Sequence, residues 1–309
     1  MAAEARKIYQ PIHPSMLARL DPEYIAYHNA HLQYIPSSES IPWSAASRSA
    51  PSPTSGASSP VPVGSIRDHS FGGHASLRIF TPSSPKPEKG WPVLIWYHGG
   101  GWTMGGLNSE NSFLSRVCKD VDMLVVSVDY RHAPENVYPA AIDDAVEGYK
   151  WIISAPGVQE LGIDVERTAV GGLSAGGGLA AIVSLKCAHL SLPRPKFQLL
   201  LLPVIDNTAS ASTVWARNAH APWLTPARMT WYRNMYLPNQ QDWTNWDVSP
   251  NFAKVELLAQ SPSTWIAVSE CDILCDEGKG FGELLGANGV EAHVEVYEGG
   301  THSLLILDG

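Results

Sequence analysis

A chain of 309 residues in which 44% of the side chains are apolar and 17% are charged can bury a sizeable core, which excludes a disordered tail. The formal net charge of −9 repels a phosphate backbone, so we expect no nucleic-acid partner. The sequence has neither an apolar stretch behind a basic start nor a run long enough to cross a bilayer, so we expect no membrane association and a cytoplasmic location.

The four cysteines are too few and too irregularly spaced for a disulfide framework. We therefore expect reduced thiols. Cys271 and Cys275 could supply two ligands of a zinc site, but no second pair of Cys or His stands at the spacing that would complete four. We expect no metal.

The first predicted elements are helical. Aromatic and apolar residues recur at helical intervals in residues 1–35, which predicts one or two amphipathic helices. From 36 to 64 the composition shifts to Ser, Pro and Ala, which is typical of a mobile linker. We therefore divide the chain into an N-terminal part, residues 1–64, and a larger domain, residues 65–309.

Apolar runs and helical patterns alternate through the larger domain. Strands are predicted at 76–80, 93–97, 123–128, 168–173, 198–202, 265–268 and 293–297, and helices at 112–119, 140–153, 175–187 and 277–287. Strands that alternate with helices predict an α/β fold, with a mainly parallel central sheet covered by helices on both faces.

Residues 205–257 interrupt this alternation. They contain no clear strand but seven large aromatic side chains: Trp215, Trp223, Trp231, Tyr232, Tyr236, Trp243 and Trp246. So many rings in one insertion predict a lid over a pocket, although the same rings could simply bury the insertion against the sheet. We assign Trp215 and Trp223 as candidate substrate contacts, together with Trp102 and Leu173 from the two motifs described next.

The strongest local motif surrounds Ser174. Gly172-Leu173-Ser174-Ala175-Gly176 follows a predicted strand and opens a predicted helix. This context is typical of a nucleophile elbow, in which small neighbours let the backbone turn sharply and leave the hydroxyl exposed above the sheet. The free N–H groups at the start of the helix favour a developing negative charge beside the serine. The motif predicts that Ser174 is a nucleophile.

A second motif, His98-Gly99-Gly100-Gly101-Trp102, follows the predicted strand at 93–97. Three consecutive glycines can direct their N–H groups toward one point. With the amide of Ala175 they could hold the oxyanion of a tetrahedral intermediate. The alternative is a flexible glycine turn. We expect His98 to brace this loop by hydrogen bonding rather than to act as a base.

A serine nucleophile needs a base, and His302 is the best placed of eleven histidines because it lies just past the last predicted strand, where a loop at the carboxyl edge of the sheet can reach Ser174. Asp272 follows the preceding strand and could orient the imidazole. Asp276 and Glu277 are rivals for that role, although Glu277 could instead stabilise the N-terminus of its helix. The order Ser, Asp, His is the order that nucleophile-elbow hydrolases use.

Together these motifs resemble the hormone-sensitive-lipase-like family of α/β-hydrolases, whose esterases carry a His-Gly-Gly-Gly loop and a Gly-Asp-Ser-Ala-Gly-Gly elbow. The resemblance runs from about residue 77 to residue 303 and includes the stretches at 129–135 and 138–144. It implies an α/β-hydrolase fold and a serine carboxylesterase that needs no cofactor and acts on a small-molecule ester. Because relatives often pair, it leaves a homodimer open.

By position, the resemblance implies a catalytic triad of Ser174, Asp272 and His302. It implies oxyanion donors at Gly99, Gly100, Gly101 and Ala175. Residues 1–35 and 205–257 look like the two parts of the family's cap over its acyl and alcohol pockets.

Three features depart from the family pattern. Leu173 stands where the family usually has Asp or Thr, the Ser/Pro-rich stretch is longer than expected, and the sequence stops seven residues after His302, where relatives add a closing helix. We expect the first to change local hydrogen bonding, the second to loosen the attachment of the cap and the third to reflect a shortened chain.

Two rival functions stay open at this point. The same triad could open a lactone, remove an acetyl group or close a ring by acyl transfer. A ligand-binding protein on the same scaffold is the rival from another class, because the family resemblance includes receptors that have lost the catalytic histidine. Here all three triad positions are filled.

Overall fold

The computed structural model describes residues 6–49, 59–71 and 75–303. An eight-stranded sheet runs through it in the order β1-β2-β4-β3-β5-β6-β7-β8. The strands are Ser65–Phe71 (β1), Ala75–Thr81 (β2), Trp91–Tyr97 (β3), Leu124–Asp129 (β4), Ile163–Leu173 (β5), Phe197–Leu201 (β6), Ser263–Ser269 (β7) and Ala292–Tyr297 (β8). The pairings of β1 with β2 and of β2 with β4 are antiparallel, and all the others are parallel.

The described helices are Pro22–Ala30 (α1), Asn111–Asp120 (α2), Ala140–Ile153 (α3), Ala155–Leu161 (α4), Ala175–His189 (α5), Pro226–Tyr236 (α6), Val255–Leu258 (α7) and Cys275–Ala287 (α8). They cover both faces of the sheet. In β3, Val93 and Ile95 pack in the same core cluster as side chains from α3, α5 and α8, whereas Leu94 and Trp96 pack in a second cluster with side chains from α2. None of the described helices is both long and apolar enough to span a membrane.

The α/β fold with a mainly parallel sheet is confirmed, and each of the seven predicted strands corresponds to a strand of the sheet. The strand that the sequence did not predict is β1. Its residues are mostly exposed at the edge of the sheet, where no buried face imposes an alternating apolar pattern. Its position is fixed instead by antiparallel pairing with β2.

The described residues of the N-terminal part, 6–49 and 59–64, contain one α-helix. The carboxylate of Asp21 caps α1 by accepting the N–H groups of Glu23 and Tyr24 at 2.7 and 3.2 Å. Before this helix, the buried side chains of Met16 and Leu20 pack against Cys271, which immediately precedes Asp272 in sequence. The N-terminal part therefore touches the loop that follows β7.

Residues 36–64 are predicted to be a mobile linker, but residues 38–49 contain short helical turns and make contacts with the rest of the protein. Residues 38–40 and 45–49 form short 3-10 turns. The guanidinium of Arg48 donates to the carbonyl oxygens of Thr103 and Ala133 at 2.7 and 2.6 Å. Composition could not reveal these distant carbonyl partners, which fix the segment beside the glycine loop. Residues 50–58 lie outside the described residues.

The N-terminal part also contacts the insertion between β6 and β7. Arg228, on α6, forms an ion pair of 2.8 Å with Glu39, and it donates to the side-chain oxygen of Gln10 at 2.7 Å. The Arg228 side chain is only 6% exposed, so this polar contact lies between packed surfaces. The two segments that the sequence assigned to a cap are thus joined to each other.

Candidate active site

Ser174 lies in a sharp turn between β5 and α5. Its backbone has φ +56° and ψ −118°, a conformation that non-glycine residues rarely adopt. The neighbouring glycines have no room for a side chain, since a Cβ on Gly172 would lie 2.2 Å from the carbonyl oxygen of Gly176 and one on Gly176 would lie 2.0 Å from that of Tyr97. The small residues of the motif therefore allow the strained turn that presents Ser174.

His302 and Asp272 lie next to Ser174. The His302 Nε2 atom is 2.9 Å from the Ser174 Oγ atom, and the His302 Nδ1 atom is 2.6 Å from the Asp272 Oδ2 atom. Asp272 follows β7 and His302 follows β8, so both loops leave the carboxyl edge of the sheet where β5 also ends. All three side chains are at least nine-tenths buried. The arrangement can pass a proton from the serine hydroxyl to the imidazole.

The loop that carries Asp272 is held by further hydrogen bonds. The N–H of Leu274 donates to Asp272 Oδ1 at 3.1 Å. The buried side-chain amide of Asn218 donates to the carbonyl oxygens of Asp272 and Glu270 at 2.7 and 2.9 Å. Asn218 belongs to the insertion, and sequence reasoning missed it because no periodic or motif signal marks it. It fixes the backbone on which the carboxylate stands.

The two rivals of Asp272 have other partners. Asp276 lies 3.4 Å from the guanidinium of Arg217. Glu277 is in the first turn of α8, as expected, but its carboxylate accepts the N–H groups of Ile205 and Asp206, both at 2.7 Å, and the indole N–H of Trp215 at 3.0 Å. Burial raises the pKa of the Glu277 carboxyl to about 8, and the three N–H donors act in the opposite direction. Glu277 thereby fixes the start of the insertion.

Three of the four candidate substrate contacts are packed inside the protein. Trp215 is 1% exposed and bonds Glu277, so it buries the insertion, which was the alternative interpretation of these rings. Trp102 is 3% exposed and stacks on Tyr236 with ring centroids 4.5 Å apart, and Leu173 is 4% exposed within the second core cluster. Neighbouring side chains cover most of the surface of these three residues, and their role as substrate contacts stays a prediction.

Trp223 is the candidate that keeps part of its surface exposed. Its backbone has φ +67°, and its carbonyl oxygen accepts a hydrogen bond from Arg228 at 2.5 Å. The Arg228 guanidinium also lies over the Trp223 ring, 5.3 Å from its centroid. The segment before α6 is thus fixed in an unusual conformation by a residue of α6.

The glycine loop has two positions at which only glycine fits. Gly100 has φ +115° and Gly101 has φ +59°. A Cβ on Gly100 would lie 2.2 Å from the carbonyl oxygen of Met104, and one on Gly101 would lie 2.3 Å from the Tyr232 ring. Tyr232 is on α6, so the insertion reaches the loop at this point. Sequence reasoning counted Tyr232 among the rings of the insertion but did not select it for the site.

The amide of Gly99 differs from its expected role, because it already donates to the Glu110 Oε1 atom at 3.3 Å. The buried Glu110 carboxylate also accepts the indole N–H of Trp96 at 3.1 Å. Burial raises the pKa of this carboxyl, while the two N–H donors lower it. Because the Gly99 amide has this partner, the predicted oxyanion donors are reduced to the amides of Gly100, Gly101 and Ala175. Glu110, which the sequence did not single out, orients the start of the loop.

His98 braces the loop through both its backbone and its ring. Its Nδ1 atom is 2.7 Å from the Gly99 carbonyl oxygen, and its own carbonyl oxygen accepts the Tyr130 hydroxyl at 2.8 Å. The His98 and Tyr130 rings are stacked with centroids 4.2 Å apart. These contacts fit the bracing role predicted from the sequence.

Comparison with known proteins agrees with this geometry. The sequence model of a family described as alpha/beta hydrolase fold matches residues 94–306. The chain belongs to the hormone-sensitive-lipase-like family of α/β-hydrolases. This hydrolase is 37% identical over 312 residues to an AB hydrolase superfamily protein of Schizosaccharomyces pombe, covering 96% of this chain and 91% of that one. It is 36% identical over 229 residues to esterase LipI of Mycobacterium tuberculosis, covering 72% and 68% of the two chains.

Solved structures are similar to this hydrolase as well. A thermostable esterase from Pseudomonas putida superimposes with a TM-score of 0.73 at 30% sequence identity, covering 79% of this chain and 76% of that one. An esterase from the archaeon Pyrobaculum calidifontis gives a TM-score of 0.72 at 31% identity, covering 78% and 76%. At these identities the likeness extends to the sequence as well as to the fold.

Proposed function

We propose that this hydrolase cleaves small to medium apolar or aromatic carboxylic esters through an acyl-enzyme, with Ser174 as nucleophile, His302 as general base and Asp272 as the residue that orients His302. It is a carboxylic ester hydrolase of the α/β type, as are the esterases to which it is similar. The observation that carries the assignment of roles is the continuous contact from Ser174 Oγ to His302 Nε2 at 2.9 Å and from His302 Nδ1 to Asp272 at 2.6 Å.

The reaction has two acyl transfers. The Ser174 oxygen attacks the ester carbonyl while His302 Nε2 takes the hydroxyl proton, and His302 then gives that proton to the departing alcohol. Water, deprotonated by the same imidazole, cleaves the acyl-enzyme. The N–H groups of Gly100, Gly101 and Ala175 are the proposed donors to the oxyanion in both steps.

The substrate class is inferred from the insertion. Tyr232 lies against Gly101, so an aromatic ring borders the proposed reaction centre and favours an apolar group in the substrate. The net charge of −9 disfavours polyanionic substrates such as nucleic acids. All four cysteines are buried and unpaired, which supports the cytoplasmic location predicted from the sequence.

A fluorophosphonate probe and a panel of p-nitrophenyl esters test this function. We expect one phosphonyl group per chain, attached to the Ser174 oxygen with loss of fluoride and located by peptide mass spectrometry. We also expect turnover of the acetate and butyrate esters. If this protein neither reacts with the probe nor turns over any ester of the panel, the alternative holds, and it is a non-catalytic ligand-binding protein on the same scaffold.

The Gly101→Ala variant tests the oxyanion loop. We expect kcat for the butyrate ester to fall by about 10²–10³-fold, because the new Cβ must displace the Tyr232 ring and a φ of +59° is strained for alanine. Gly280→Ala is the matched control: apart from its chain neighbours and the backbone of α8 itself, no atom of the described residues lies within 4 Å of its Cβ position, so activity should stay within about twofold while the helix gains about 0.5–1 kcal/mol. Equal activity of the two variants would remove Gly101 from the site.

A further inference from the structure

A cluster of three polar side chains lies behind the glycine loop, outside the triad. It consists of His98, Asp129 and His132, each of which offers one ligand atom, and these three atoms lie within 4.8 Å of one another. The His98 Nε2, Asp129 Oδ1 and His132 Nε2 atoms are buried and have no hydrogen-bond partner among the described residues. More than nine-tenths of buried polar groups in proteins have a partner, so three orphans facing one another require an explanation.

The hydrogen bonds of His98 define what the cluster can bind. The Gly99 carbonyl oxygen only accepts, so the His98 Nδ1 atom, 2.7 Å away, carries the proton. In the neutral imidazole the Nε2 atom then has a free lone pair, and it faces the Asp129 Oδ1 atom, another acceptor, at 3.7 Å. Two acceptors that face each other need a proton, a water molecule or a metal cation between them. An imidazole fixed by a backbone carbonyl through its other nitrogen is also the usual arrangement of a metal-bound histidine.

The fold brings these residues together at one edge. His98 directly follows β3 and Asp129 ends β4, the strand parallel to β3. His132 follows three residues later, in a segment held by the hydrogen bond from the Ala133 N–H to the Trp102 carbonyl oxygen. His98 is fully buried, and Asp129 and His132 are half-buried, so the cluster can exchange an ion with solvent at one side.

We propose that His98, Asp129 and His132 form a binding site for one divalent transition-metal ion, best matched by Zn²⁺. Two imidazole nitrogens and one carboxylate oxygen are a donor set that zinc accepts, at about 2.0–2.2 Å from each, with water as the fourth ligand. In a tetrahedral site two ligand atoms of one ion are about 3.4 Å apart, so a separation of 4.8 Å in the cluster has to close by about 1.4 Å. The half-buried side chains of Asp129 and His132 have to supply this movement, because His98 is fully buried.

The charges around the cluster permit a cation. Arg48 and Arg78 are the nearby positive groups, and each is already paired, Arg48 with Glu135 and Arg78 with Asp68. The buried Glu110 carboxyl interacts electrostatically with His98 and adds negative charge on the other side. The metal is a positioning element here. By fixing His98 it fixes the backbone of Gly99 at the start of the glycine loop, and it takes no part in the acyl transfer.

The test uses the full chain after treatment with a chelator, titrated with ZnCl₂ and separately with CoCl₂. We expect one tightly bound metal per chain by elemental analysis, visible absorption of tetrahedral Co²⁺, and an unfolding temperature that rises with metal concentration. His132→Leu and Asp129→Asn should each weaken binding by at least about 100-fold, since loss even of an outer-shell partner costs about 10–100-fold.

His69→Gln is the matched control, because it removes another imidazole beside a carboxylate, 3.1 Å from Glu160, on the edge strand β1, which is separated from β4 by β2. We expect unchanged metal binding in this variant. Thermal unfolding of metal-free His132→Leu verifies that the variant is folded. Because this measurement does not depend on ester turnover, failure of the metal site and failure of the proposed function are distinguishable. No saturable binding by the wild type, or equal binding by wild type, His132→Leu and Asp129→Asn, would overturn the proposal.

Discussion

Replacing Ser174 with alanine is expected to lower kcat/KM for p-nitrophenyl butyrate by about 10⁶-fold, the loss seen when a serine nucleophile is removed from a triad. The substitution deletes the Oγ atom that lies 2.9 Å from His302 Nε2, so neither the attack nor the proton transfer can occur. Ser174 already carries a Cβ in its strained conformation, so alanine adds no backbone strain. Initial rates and thermal unfolding, measured on the same preparation, separate lost chemistry from lost folding.

Ser184→Ala is the matched control for that measurement. Ser184 is also buried and lies on the helix that begins after Ser174, where its hydroxyl donates to the Ala180 carbonyl oxygen at 3.1 Å. The control should change kcat/KM by less than about threefold, because this bond is local to the helix. Retention of more than about one hundredth of wild-type activity by Ser174→Ala would show that another nucleophile carries the reaction.

The elements that the sequence predicted are those whose burial leaves a pattern. Strands β3 to β7 carry apolar runs because both faces of the central sheet are covered. Helix α6 was not predicted, although Thr225 and Pro226 stand where an N-cap and a first helical residue would be, and the Thr225 hydroxyl does accept the Arg228 N–H. The helix buries Arg228 and Arg233 as well as apolar side chains, so no clean apolar stripe appears in its sequence.

In the candidate site, too, the residues that the sequence predicts are those with a local sequence pattern. The sequence identifies Ser174, Asp272 and His302 because each lies at the end of a recognisable strand or in the loop that follows one. Glu110 and Asn218 are not identified, because their roles depend on partners distant in sequence, the Trp96 indole in one case and the Glu270 and Asp272 carbonyl oxygens in the other. Hydrogen bonds between residues that are distant in sequence leave no pattern in the local sequence.

Asp272→Asn is expected to lower kcat by about 10⁴-fold while the fold is retained. The Asp272 Oδ2 atom lies 2.6 Å from His302 Nδ1, and its Oδ1 atom accepts the Leu274 N–H. In the variant the backbone N–H keeps the amide oxygen on its side, so the amide NH₂ points at Nδ1 and favours the tautomer with the proton on Nε2. That tautomer cannot take the proton of Ser174. Steady-state kinetics with p-nitrophenyl butyrate and thermal unfolding measure the two effects.

Asp276→Asn distinguishes Asp272 from its neighbour. Asp276 is one-third exposed and lies 3.4 Å from Arg217, in a contact that solvent screens. Its loss should change kcat by less than about threefold, since no atom of the proposed triad depends on it. A large loss in Asp276→Asn together with a small one in Asp272→Asn would mean that the loop after β7 rearranges in the working enzyme and that the neighbouring carboxylate orients His302. Equal large losses would instead indicate that the loop itself, rather than one carboxylate, is what the imidazole requires.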